Sequence, residues 1–82
     1  MGIVNDNDNR AGKEKLVGTV KEILFENKDN GYAVCMIEDE HGEEFTLVGT
    51  MPLLACGEKL KAYGRWTHHA SFGRQFSVDS YS

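Results

Sequence analysis

Between Gly57 and Phe76, apolar and polar residues alternate. Leu60, Ala62, Gly64 and Trp66 take one face of an extended chain, and Lys59, Lys61, Tyr63 and Arg65 take the other. A period of two belongs to a strand with one buried side, so Trp66 is expected to point into a core and the cations out of it. Gly64, two positions before Trp66, leaves room for a side chain crossing from another strand or lets this strand bend. After a polar connector the alternation resumes from Gln75 to Tyr81, with Phe76 and Val78 on the apolar side. The two strands are expected to form a hairpin.

Upstream, residues 16–26 are rich in branched and aromatic side chains and short for a helix. The phase changes midway: Leu16, Gly18 and Val20 share one side, Ile23 and Phe25 the other. A β-bulge near Lys21 and Glu22 would bring both sets to the core and bend a long first strand. Asn27, Lys28, Asp29, Asn30 and Gly31 have the chemistry of a turn. Residues 32–38 read as a second strand, 40–43 as a hairpin turn and 44–49 as a third strand. Residues 50–57 break the rhythm. Pro52 suits the first turn of a helix and Gly57 a position just past its end, which predicts one or two helical turns. The order β-β-β-α-β-β makes the expected fold class all-β with one short helix, an OB-fold-like five-stranded barrel, partly open and plugged at one end by the helix. An SH3-like barrel, with a 3₁₀ turn in place of the helix, is the competing architecture. Residues 1–14, with the polar run from Asn5 to Arg10, are expected to be a disordered tail, and 15–82 the domain.

Composition adds limits. With 82 residues the chain has room for one small domain, and a domain of this size buries only about 60% of the surface its unfolded chain exposes. A formal charge of −4 argues against the broad basic surface of a general nucleic-acid binder. Local charge differs from the total. Glu38, Asp39, Glu40, Glu43 and Glu44 form an acidic knot, whereas Lys59, Lys61, Arg65 and Arg74 lie in an acid-free stretch, 59–78. Both runs are also what solvated strand faces look like. Cys35 and Cys56 are single and set among apolar residues, as reduced core cysteines are. There is no CxxC, and the adjacent His68 and His69 project to opposite faces of a strand, so no metal site is expected. With no apolar run near 18 residues and no signal peptide, a cytoplasmic, reducing compartment is expected.

The chain combines Gly18-Thr19-Val20, Phe25 with Asn27, Asn30-Gly31-Tyr32, Gly42-Glu43-Glu44-Phe45, Val48-Gly49, Pro52, Gly57-Glu58, Gly64 with Trp66, and Phe72 before Gly73-Arg74-Gln75-Phe76. In this combination the chain resembles the N-terminal OB-type domain of RecD/TraA-type bacterial DNA helicases, the long RecD-like form, over about 16–81. The Gly-Arg-Gln-Phe run behind the Trp is the most specific part. His69-Ala70-Ser71-Phe72 departs from the His-Pro-x-Tyr-like connector of the relatives. The resemblance implies a parent protein with a downstream 5′–3′ ATPase motor that uses ATP and Mg²⁺, active in DNA repair or recombination. No Gly-x-x-x-x-Gly-Lys-Ser/Thr run occurs in these residues, so no cofactor and no ATP hydrolysis are expected of this chain, which reads as a piece cut at a domain boundary.

Two functions follow as expectations. As an interaction module, the domain would dock on downstream helicase domains or on a replication or repair protein. Glu38, Asp39, Glu40, Glu43 and Glu44 would then pair with a basic surface. As a weak single-stranded DNA module, it would use the strand 2–3 face and the loops joining strands 1–2 and 4–5. The candidates there are Lys28, Tyr32, Lys61, Tyr63, Arg65, His68, His69, Phe72 and Arg74. An independent enzyme is not expected, since Glu43 and Glu44 are adjacent and cannot face a common substrate from one strand.

Overall fold

A computed structural model describes residues 13–71 and 73–82. The expected tail lies outside these residues except for Lys13 and Glu14. Five strands follow one another: β1 (Glu14–Glu26), β2 (Tyr32–Glu38), β3 (Glu44–Thr50), β4 (Lys59–His69) and β5 (Gly73–Tyr81). They close in the order β1-β2-β3-β5-β4, with β1 paired to both β2 and β4. A parallel contact, Leu47 to Phe76 and Val48 to Ser77, shuts the barrel between β3 and β5. This is the OB-fold arrangement, closed rather than partly open. Closure matters because it removes the unpaired strand edges that a five-stranded sheet would otherwise expose.

β1 can serve two partners because it is bent. Its register against β2 shifts between Val20 and Glu22, the bulge that the change of phase predicts, and again between Ile23 and Phe25. The second shift turns Phe25 outward, so of the pair expected to reach the core only Ile23 packs against it, while Phe25 is exposed. Val20, Ala33, Cys35, Ile37, Leu47, Leu60, Ala62 and Phe76 fill the interior. At Gly64 the neighbour is the β5 backbone rather than a crossing side chain: a Cβ there would collide with the carbonyl of Ser77. The β4–β5 register also shifts between Tyr63 and Gly64, as a bend requires.

The expected helix does not form; none of the described residues is helical. The backbone around 51–58 is taken up by neighbouring strands. The Met51 N–H donates to the Gly31 carbonyl at 2.9 Å, the Gly57 N–H to that of Val20 at 2.8 Å, and the Val20 N–H to that of Glu58 at 2.9 Å. The few residues left between cannot offset the cost of nucleating a helix. Leu53 also takes a left-handed backbone, φ 64°, incompatible with a right-handed turn. Met51 and Leu54 bury their side chains in the core and do what the helix was expected to do. Two further expectations change. Cys56 is exposed, unlike the buried Cys35. Trp66 keeps the inward phase of Leu60 and Ala62 but is half-buried, at the rim of the core.

Candidate functional site

The β2–β3 hairpin is polarised along its length. At the turn end, Asp39 organises the acidic knot: its Oδ1 accepts from the backbone N–H of His41 at 2.8 Å and of Glu43 at 2.9 Å. Glu38 and Glu44 sit directly opposite each other, a like-charge pair relieved by Lys21, whose Nζ lies 3.3 Å from Glu38. Glu40 is within 3.8 Å of the His41 ring. Part of the knot is therefore turn construction, with Glu40, Glu43 and Glu44 exposed. At the other end, six residues along each strand, Tyr32 faces Thr50. Its ring lies 6.3 Å from that of Phe25 in a tilted contact.

Alternation with the buried Ala33, Cys35, Ile37 and Leu47 leaves Tyr32, Val34, Met36 and Glu38 of β2 and Glu44, Thr46, Val48 and Thr50 of β3 on the outside. None is Lys or Arg. The expected cations lie elsewhere, on β4, in the β1–β2 turn and on β5. Lys61 and Arg65 are exposed on the outer side of β4, flanking the half-buried Tyr63, which is paired in register with Lys15 of β1. Lys59, on the same side, borders a groove of about 540 Å³ whose other walls include Glu38, Asp39, Glu40 and His41. Lys28 is exposed in the β1–β2 turn. His68 and His69 end β4, where the His69 ring nitrogen accepts from the Ser71 N–H at 3.0 Å. Phe72 lies outside the described residues.

Arg74, across the ladder from His68, covers the Trp66 ring at 3.9 Å. Phe76 meets the same ring edge-on at 5.1 Å and Phe45 at 5.5 Å, while the indole N–H donates to Glu14 at 3.2 Å. The guanidinium that was a candidate for phosphate lies over the indole and covers a face that a base would need for stacking.

Phe25 and Leu53 are exposed large apolar residues that strand phase alone misses. Leu53, 92% exposed, is held out by its left-handed backbone. Phe25 is turned out by the second register shift in β1. Among the described residues no group of three or more His, Cys, Asp or Glu could hold a metal ion, and no helix is long and apolar enough to cross a membrane. Burial, and secondarily the nearby Cys56, push the Cys35 thiol up to about 11, so it stays protonated and unreactive at neutral pH.

A family model described as the OB-fold domain of the ATP-dependent DNA helicase YrrC matches residues 13–82, the whole barrel. No curated protein matches the chain.

Proposed function

The chain belongs to the family of OB-fold domains of the ATP-dependent DNA helicase YrrC, and from that premise we propose that it serves the helicase as a protein-docking module rather than as its grip on single-stranded DNA. One observation carries this reading. The outer β2–β3 face, on which OB-folds commonly take oligonucleotides, presents apolar, hydroxyl and glutamate side chains and no Lys or Arg. A polyanion gains nothing there, whereas a protein surface with apolar and basic groups does. The docking partner is another domain of the helicase, and the acidic turn at Asp39–Glu43 favours a basic approach. The parent as a RecD/TraA-type 5′–3′ motor working in repair or recombination in the cytoplasm belongs to the same proposal.

Lys61 and Arg65 beside Tyr63 favour a second reading, weak strand binding on the outside of β4. With about three phosphate contacts, including Lys15, its log–log salt slope would be only about −2. Deleting residues 1–82 from the full helicase separates the two. Under the docking reading the single-strand affinity of the helicase stays within about twofold and the thermal stability or activity of the remaining protein falls. A loss of affinity above about tenfold with unchanged stability would favour the strand-binding reading.

A further inference from the structure

Every large apolar side chain exposed among the described residues lies at one end of the barrel. Leu24 and Phe25 close β1, Tyr32 opens β2, and Leu53 sits between β3 and β4. The two loops are locked together: the Met51 N–H donates to the Gly31 carbonyl at 2.9 Å. Between them runs a groove of about 380 Å³ lined by Glu26, Lys28, Gly31, Pro52, Leu53 and Leu54. β5 is tied to the same place, since the Tyr81 hydroxyl donates to the Pro52 carbonyl at 3.1 Å. A leucine in left-handed backbone is strained, and an exposed leucine gives back nothing by burial. Both disfavoured features coincide at Leu53, the most exposed apolar side chain of the four.

Resting on the docking reading, we propose that this end is the docking surface and that its occupant is a segment of the same helicase polypeptide outside these residues, an apolar side chain flanked by Lys or Arg. Leu53, Phe25 and Tyr32 would receive the apolar side chain. Glu26 and Lys28 both line the groove and neither has an ion-pair partner among the described residues; Glu26 would receive the cation, and the exposed Lys28 would stay turned to solvent. Size selects the source. Four partly exposed side chains offer on the order of a few hundred Å², below the roughly 800 Å² per partner of a stable association between separate molecules. A patch this small holds only a partner kept close by covalent connection, at an effective concentration near the millimolar range. A second copy of the chain would need more area than the patch provides.

Amide hydrogen exchange compares the 82-residue chain with the full helicase. The expected result is at least tenfold slower exchange in residues 24–32 and 51–57 within the full protein. Leu53→Glu should return both segments to the rates of the 82-residue chain. Leu53→Asn, which keeps an acceptable left-handed backbone while removing the apolar side chain, should do the same without unfolding either protein. Protection confined to another part of the barrel, such as 38–44, would overturn this surface and leave the docking reading standing. Unchanged exchange throughout the barrel would overturn both. Protection of 24–32 and 51–57 that appears only on adding an oligonucleotide would overturn the protein occupant.

Discussion

The indole of Trp66 meets four neighbours, and each limits what the residue can do. Phe45 packs against it at a tilt and Phe76 in a T-shaped contact, Glu14 accepts its N–H and Arg74 lies over its ring. The ring is a rim residue that finishes the core, and its removal should cost about 3 kcal/mol, the lower end for large aromatics. Denaturant melts of Trp66→Ala check this; an unchanged midpoint would show that the cluster contributes nothing. Arg74→Ala should cost only about 0.5–1 kcal/mol, because the cation–π contact is exposed. Cys35 gives a pH test. Its folded pKa, about 11, lies above the ordinary 9.0, so its contribution is complete below pH 9 and is lost as pH rises through about 11. Stability should fall across that window more in the parent chain than in Cys35→Ala, and a thiol reagent at pH 7 should modify Cys56 alone.

At the scale of elements, close approach governs the barrel. Gly64 permits the β5 backbone to cross β4, and Gly64→Ala should destabilise by about 3 kcal/mol or more, since the obstacle is a carbonyl that cannot rotate away. A melt within about 1 kcal/mol of the parent would contradict that crossing. Asp39→Ala should cost about 1–2 kcal/mol by orphaning two turn amides. The strands were legible in the sequence for two reasons: β4 falls where the period of two imposed by one-sided burial places it, β2 and β3 lie between turn signals, and the Lys21 bulge follows from the phase change in β1. The segment 50–57 misled because Pro52 and Gly57 are helix punctuation by local chemistry, whereas hydrogen bonds from Val20 and Gly31, distant in sequence, decide its path. Phe25 misled for a related reason: a second bulge leaves no mark in composition. Of the candidate site, the acidic turn was legible. The stacking of Arg74 on Trp66 was not, because it depends on the β4–β5 register.

Over the whole molecule, charge and apolar surface are sorted into separate regions: acids at the β2–β3 turn, Lys61 and Arg65 outside β4, and the exposed aromatics at the opposite end of the hairpin from the acids. At about 3.4 Å per residue, the six-residue run from Tyr32 to Glu38 sets the aromatic and acidic ends about 20 Å apart. Among the described residues no groove combines cations with open aromatic faces, and that separation is why docking is favoured over strand capture. The most direct measurement is a fluorescence titration of a labelled oligothymidylate with the 82-residue chain at about 20 mM salt, where phosphate contacts are strongest. The account predicts no saturable binding up to about 100 μM, the weak end of non-specific affinities. Saturable binding below that concentration, weakened by salt and abolished in Lys61→Glu/Arg65→Glu, would contradict it.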